Sequence, residues 1–473
     1  MPENRKELRV HESSDQKWEE MPEKVREVPE ISRIYPTLPS ILRKYARYGR
    51  QDDFRGKTSE AFMAWQMRSR ATLRELLGLE KMDMCALEPV IDEVVLLSPK
   101  RADNQIEVRT DEQCRTILPN RKENKEGSVR TGNAKAGPHD AICRYHILLR
   151  TEPDITLSAY LLVPASANAG TPVFLCPPGH NGAGKYTVAG VRGARAIEES
   201  IEKYNYDFGW QLAHLGYVAF CPDVRGFGER REELEDTKTL PLAMKGDCYW
   251  LAHMGEPIGI PVLGMLSWDL MRCVDFLKEY TMTKEGELKR QKNGVAEERT
   301  SMCATRTSEK WHEHLSTPKP ADSEHAVSED ACWNPDRIIA FGFSGGAMQS
   351  LYLSALDERI HAVFLSGYMY GFRDSLLQMN RNCSCNYVPH LMEHFDMGDI
   401  ASLIAPRRLM IQSCREDRLA GVRGLVNVQE QVDIIRANYA VTGDTENVQQ
   451  DIEDGPHHLD TRHLPDIAKW LAE

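Results

Sequence analysis

Ser344 closes an apolar run, Arg337-Ile338-Ile339-Ala340-Phe341-Gly342-Phe343-Ser344-Gly345-Gly346-Ala347, which gives way to Met348, Leu351, Tyr352 and Ala355 at helical spacing. A serine on so sharp a turn between strand and helix is held out as a nucleophile, and small residues two positions to either side let the two elements approach. Gly342 and Gly346 fill those positions. The G-x-S-x-G spacing also arises by chance, and a purely structural strand-to-helix turn is the competing explanation. The strand before the serine and the helix after it favour the chemical one.

A serine hydroxyl attacks poorly until a base takes its proton, and that base needs a third group to hold its tautomer. In one family of folds that place a nucleophilic serine this way, the acid and then the histidine come from the ends of later strands. After the apolar run Leu409–Ser413 comes Cys414-Arg415-Glu416-Asp417-Arg418-Leu419. Asp417 is the expected acid, with Glu416 and Asp374 as rivals, although most loop carboxylates are simply solvated. After Val448–Ile452 comes Glu453-Asp454-Gly455-Pro456-His457-His458, which makes His457 the expected base and His458 the second choice. The developing oxyanion would be met by the amide of Gly345, at the start of the helix. A second donor would come from Pro178-Gly179-His180-Asn181-Gly182-Ala183-Gly184, through the amide of His180 or Asn181. That glycine-rich turn is no phosphate loop, because Gly184-Lys185-Tyr186 lacks the Ser or Thr after Lys. Tyr368, Tyr370 and Phe372 would line a pocket mouth, though aromatic residues there are as often core.

The elements that must position these residues alternate. VFLCP, YVAFCPD, IIAFGF, HAVFLSG, RLMIQS and Val448–Ile452 read as strands, with helices over Tyr206–Leu215, Gly264–Tyr280 and Pro465–Leu471. Such alternation predicts an α/β class, a mainly parallel sheet covered on both faces. Upstream, EVVLLSP, ICRYHILLR and TLSAYLLVP read as further strands, and Ser59 onward as an amphipathic helix with apolar Phe62, Trp65, Met67, Leu73, Leu76 and Leu77, ended by Gly78. The expected organisation is an N-terminal arm and helix over 1–100, a polar insertion over 101–140, and a catalytic domain over 141–473 carrying a second polar insertion at 281–332. Either insertion could be a flap or a plain surface loop. Phe395–Ile404 reads as a packed helix, and Asp223-Val224-Arg225-Gly226-Phe227-Gly228 as a fixed loop beside the site.

With 59 basic and 71 acidic residues the net charge is −12, which disfavours nucleic acid and makes a small-molecule substrate the default. The N-terminal stretch has no apolar h-region and no window approaches a membrane span, so a soluble cytoplasmic chain without a membrane partner is expected. Twelve singly spread cysteines fit a reducing compartment. Assembly into a homo-oligomer is left open. His312-Glu313-His314 with Cys303, His325 and Cys332 matches no strong zinc spacing, and Cys383-Ser384-Cys385 is too close for an ordinary bridge and reads as structural or weakly redox-active. Neither a metal nor a cofactor is called.

Taken together, SRATLRELLGL, AYLLVP, PPGHNG, GYVAFCPDVRGFGER, LGMLSWDLMRCVDFL, GFSGG, CNYVPHLMEHFDMGDIASLIAPRRLMIQSCREDRL and GPHH, in that order, resemble the acetyl xylan esterase and cephalosporin deacetylase-like branch of the α/β-hydrolases, neighbours of the dienelactone hydrolases. The resemblance spans about Trp65 to the C-terminus. It implies the α/β-hydrolase fold and a serine hydrolase acting on esters, with Ser344, Asp417 and His457 as triad and the amides of Gly345 and His180 as oxyanion hole. Departures are the Pro-Pro-Gly-His loop where many relatives have a His-Gly pair, Pro456 where a glycine is usual, and the two insertions. The related glucuronoyl esterases carry an arginine directly after the nucleophile; this chain has Gly345, which disfavours a uronate ester. The expectation is hydrolysis of an acetyl or other small acyl ester of a small or carbohydrate-like alcohol. A peptidase or amidase of the same fold and a non-catalytic binding protein are the alternatives.

Overall fold

The computed structural model describes residues 36–99, 106–110, 141–232, 244, 246–291, 330–379 and 382–473. Its ten-stranded sheet has the order β12-β11-β10-β9-β5-β6-β4-β3-β1-β2. The strands are β1 (Val90–Pro99), β2 (Ile106–Thr110), β3 (Ile142–Glu152), β4 (Ile155–Pro164), β5 (Val173–Leu175), β6 (Val218–Pro222), β9 (Ile338–Phe343), β10 (Ile360–Ser366), β11 (Arg408–Cys414) and β12 (Val448–Glu453). From β6 to β12 every neighbour pairs in parallel, whereas β6·β4, β4·β3, β3·β1 and β1·β2 are antiparallel. The expected mainly parallel sheet is present, and its antiparallel limb is built from the three upstream strands read in the sequence plus β2.

The sequence dictates the parallel half directly. Every residue of β9 is buried, as is nearly all of β10 and β11, so these strands show unbroken apolar runs rather than alternation. The sheet separates two cores. On one side lie Leu266, Phe276, Met348, Leu351, Ile400 and Val432; on the other lie Phe174, Phe208, Phe341, Phe364, Ile467 and Leu471. The Phe341 and Phe364 rings stack 4.1 Å apart across β9 and β10. The helix Gly345–Leu356 is buried on all sides, as an all-round apolar segment between other helices must be.

From residue 36 onward the N-terminal arm is tied to the body of the fold. The helix Leu38–Tyr48 precedes Arg50, whose guanidinium grips the buried Asp399 carboxylate through both oxygens, at 2.7 and 2.9 Å. The helix Ser59–Leu76 is N-capped by Thr58 and ends before Gly78, at φ 63°, a left-handed conformation that glycine adopts without steric cost. Phe62, Trp65 and Leu73 face the core as expected, but Met67 is 69% exposed, because position 67 falls on the outer face of the helix.

Two expected regions look different in detail. The strand β2 falls within the stretch read as the polar insertion 101–140 and pairs with β1, forming the edge of the sheet. The opening of the stretch 281–332 forms a two-stranded ribbon, β7 (Tyr280–Met282) with β8 (Leu288–Arg290), while 292–329 lie outside the described residues, and with them Cys303, His312, Glu313, His314 and His325. Cys332 is buried under β7, its N–H donating to Met282 O at 3.1 Å.

Candidate active site

Ser344 follows β9 at φ 55°, ψ −121°, a conformation a residue with a side chain adopts only when the surroundings impose it. Its N–H donates to Ser366 O at 2.8 Å and its carbonyl accepts from Met348 N at 3.0 Å, which locks the turn between strand and helix. A Cβ at Gly342 would lie 2.3 Å from the Gly346 backbone, and one at Gly346 would lie 2.4 Å from Pro177 O. Only glycines let β9, the following helix and the Pro177 loop close to these distances.

Asp417 comes from the loop after β11 and His457 from the loop after β12, so all three residues stand at the carboxyl ends of strands within one run of parallel pairing. Backbone bonds join the two loops, Arg415 N to Glu453 O at 2.8 Å and Glu416 N to Gly455 O at 3.0 Å. Asp417 is buried; its Oδ1 accepts the Leu419 N–H at 2.9 Å and its Oδ2 lies 2.7 Å from His457 Nδ1. The imidazole rests on the Phe343 ring, 4.7 Å between centroids, and fits over Gly367, where a Cβ would lie 2.8 Å from its Cε1. The rivals are engaged elsewhere. Asp374 pairs with Arg423 and Arg373, Glu416 is exposed on the cavity rim, and His458 Nδ1 lies 2.7 Å from Pro456 O.

A cavity of about 530 Å³ opens over these groups, lined by Ser344, Gly345, His180, Asn181, Tyr368, Tyr370, Asp417 and His457 among others. Ser344, Asp417, His457, Gly345, His180, Asn181, Tyr368 and Tyr370 therefore line one cavity. Tyr368 and Tyr370 are buried, and the Tyr368 hydroxyl donates to Asn386 Oδ1 at 2.8 Å. Phe372, expected beside them, is buried core. Gly345 opens the helix, where the first N–H groups have no intrahelical acceptor. His180 Nδ1 would be 2.6 Å from a Cβ on Gly345, so the imidazole lies against that position.

The loop carrying His180 is anchored on both flanks. Gln349, buried in the helix after Ser344, donates to Pro178 O at 2.7 Å, and the Tyr206 hydroxyl donates to His180 O at 2.9 Å. Behind the loop, Lys185 is wholly buried; its Nζ meets Asp223 Oδ2 at 2.8 Å and Glu229 Oε2 at 2.9 Å. Asp223 also accepts the backbone N–H groups of Lys185 and Glu229, at 2.6 and 3.0 Å. Burial opposes ionisation of Glu229, but His146, Lys185, Ser158 and Tyr186 together hold its carboxyl below the usual range. This network fixes the Asp223–Gly228 loop, while Arg225 pairs instead with Asp269 and Glu152.

One group of residues at the site was not read from the sequence. Cys248, Cys383 and Cys385 gather round His180 Nε2, with Cys385 Sγ at 3.5 Å and Cys248 Sγ at 3.8 Å. Cys383 is the most readily ionised of the three, because the Cys248 and then the Cys385 thiol can donate to its sulfur. Cys383-Ser384-Cys385 was visible as a pair, but nothing in the sequence links it to Cys248 or to the glycine loop.

No protein-family model matches the chain. A curated protein of Bacillus subtilis (strain 168), "Putative hydrolase YtaP", is 22% identical over 324 residues, 66% of this chain and 83% of that one. Among solved structures, a "putative acetyl xylan esterase" from Bacteroides fragilis NCTC 9343 superposes with a TM-score of 0.55 at 16% identity, covering 93% of this chain and 86% of that one. A glucuronoyl esterase from Solibacter usitatus follows at TM-score 0.48 and 15% identity, over 90% of this chain and 95% of that one. The strand order and the superposition on the Bacteroides fragilis structure show that the chain has the α/β-hydrolase fold.

Proposed function

We infer that the chain is a serine esterase working through an acyl-Ser344 intermediate. The observation that carries this reading is the His457 Nδ1 to Asp417 Oδ2 contact of 2.7 Å, on the cavity that Ser344 also lines. With Nδ1 committed to the carboxylate, Nε2 is the nitrogen left to take the serine proton. Ser344 Oγ attacks the ester carbonyl as His457 accepts its proton, and the oxyanion forms against the amides of Gly345 and His180. Collapse breaks the C–O bond to the alcohol, which leaves with the proton from His457. A water molecule, deprotonated by the same imidazole, then attacks the acyl-serine, and the carboxylic acid is released as Ser344 regains its proton.

The substrate class is an acetyl or other small acyl ester of a small or carbohydrate-like alcohol, in keeping with the name given to the Bacteroides fragilis neighbour. Asn181, Tyr368 and Tyr370 on the cavity wall are the groups proposed to receive the alcohol. A side chain at position 345 would run into His180, which leaves no room for an arginine that would pair with a uronate carboxylate. Among the described residues no helix is long and apolar enough to cross a membrane. A cytoplasmic setting is part of the proposal, supported by the absence of any disulfide among the ten described cysteines.

The test is turnover of p-nitrophenyl acetate, followed by a series of esters graded in acyl length and alcohol size. The wild-type chain should favour short acyl groups, and Ser344→Ala should lose activity by at least about 10⁴-fold with its circular dichroism unchanged. Retained turnover by Ser344→Ala would refute the assignment.

A further inference from the structure

Cys248, Cys383, Cys385 and His180 are brought together from three loops with all four ligand atoms within 4.8 Å of one another. We propose that His180 Nε2 and the three thiolates form a four-coordinate zinc site in the wall of the catalytic cavity. A tetrahedral zinc with bond lengths of about 2.3 Å to sulfur and about 2.05 Å to nitrogen sets S···N separations near 3.6 Å and S···S separations near 3.8 Å. The S···N separations of Cys385 and Cys248 from His180 Nε2, 3.5 and 3.8 Å, straddle that value. Three soft sulfurs and one imidazole are a donor set suited to zinc rather than to a hard cation.

A disulfide would use two of the thiols and leave the third against the imidazole unexplained, whereas a metal uses all four donors. Cys248 and Cys385 are buried, while His180 and Cys383 are half-buried on the cavity wall. Four protein ligands leave no position for a reacting water, which makes the zinc structural. Binding expels the thiol protons to solvent.

The consequence for the site is positional. The metal would tie the loop bearing the His180 amide to the loops bearing Cys248 and Cys383. It would also occupy Nε2 and so keep the imidazole proton on Nδ1, the nitrogen that lies against Gly345. His180 and the cysteines are positioning residues in this account, and Ser344 chemistry does not depend on them for its identity.

Zinc content of the purified chain, measured by mass spectrometry of the elements, should approach one per molecule. After removal of metal by a chelator, titration with cobalt(II) should give the visible bands of tetrahedral cobalt and a thiolate charge-transfer band, both discharged by added zinc. Cys383→Ser and Cys248→Ser should weaken cobalt binding by at least about 100-fold, the upper end of what loss of an outer-shell partner alone costs. Ser344→Ala should bind cobalt as the wild type does, which separates failure of this proposal from failure of the esterase reading. If a cysteine variant does not fold, the wild-type cobalt spectrum decides. A wild-type chain that takes up no cobalt with thiolate charge transfer, or one in which two of the three cysteines are joined in a disulfide by peptide mass, would overturn the zinc site.

Discussion

Asp417 divides its carboxylate between two partners, the Leu419 N–H at 2.9 Å on Oδ1 and His457 Nδ1 at 2.7 Å on Oδ2. The backbone bond fixes the direction of the carboxylate, and the carboxylate in turn selects the imidazole tautomer. Both oxygens are held, so the acid orients the base.

Asp417→Asn retains the shape and loses the tautomer selection. It should lower kcat on p-nitrophenyl acetate by about 10⁴-fold with little change in KM, measured at neutral pH. Glu416→Gln, on the exposed rim, should change kcat by less than about threefold, well below the lower end of what general acid-base participation contributes.

Gly367, at φ 66°, lies beneath the imidazole, and a methyl group there would stand 2.8 Å from His457 Cε1. Gly367→Ala should displace His457 and reduce kcat by roughly 100-fold or more, as small misplacements of reacting groups do. Destabilisation of about 1–3 kcal/mol should accompany it, read from denaturant midpoints.

The His146–Glu229 pair behind the glycine loop gives a pH dependence of stability. The hydrogen bond to Glu229, with a second contact to Asp92, raises the His146 pKa despite burial and the nearby Lys185. A raised folded-state pKa means stability that is present below the unfolded value of about 6.5 and lost as pH rises through the folded value. Glu229 works the other way, its contribution being present above about pH 4.3 and lost as pH falls. The Tm difference between wild type and His146→Gln should therefore be largest below about pH 6.5, the unfolded value, and shrink as pH rises through the raised folded value. A difference that grows with pH would contradict this assignment.

Much of the architecture was legible because parallel strands buried on both faces show unbroken apolar runs. IIAFGF and RLMIQS needed no structural information to be read. The order serine, acid, histidine narrowed the site for a related reason, since strand ends are identifiable once the strands are. Other elements escaped. The helix Leu425–Thr442 was not anticipated although Val428, Val432, Ile435 and Tyr439 are buried at helical spacing, because polar residues between them blur the periodicity. The strand β2 escaped because an edge strand of Ile-Glu-Val-Arg-Thr within a polar stretch resembles its surroundings. The Cys248, Cys383 and Cys385 cluster could not be read at all, since its members are neighbours only through the folding of two separate segments onto His180.

The central claim is that Ser344 is the nucleophile activated by His457. Its most direct test is reaction of the folded chain with a fluorophosphonate probe, followed by peptide mass mapping. One probe should be found per chain, on Ser344, and labelling should vanish in Ser344→Ala and fall steeply in His457→Ala. A folded wild-type chain that stays unlabelled, or that is labelled equally well after Ser344→Ala, would contradict the account.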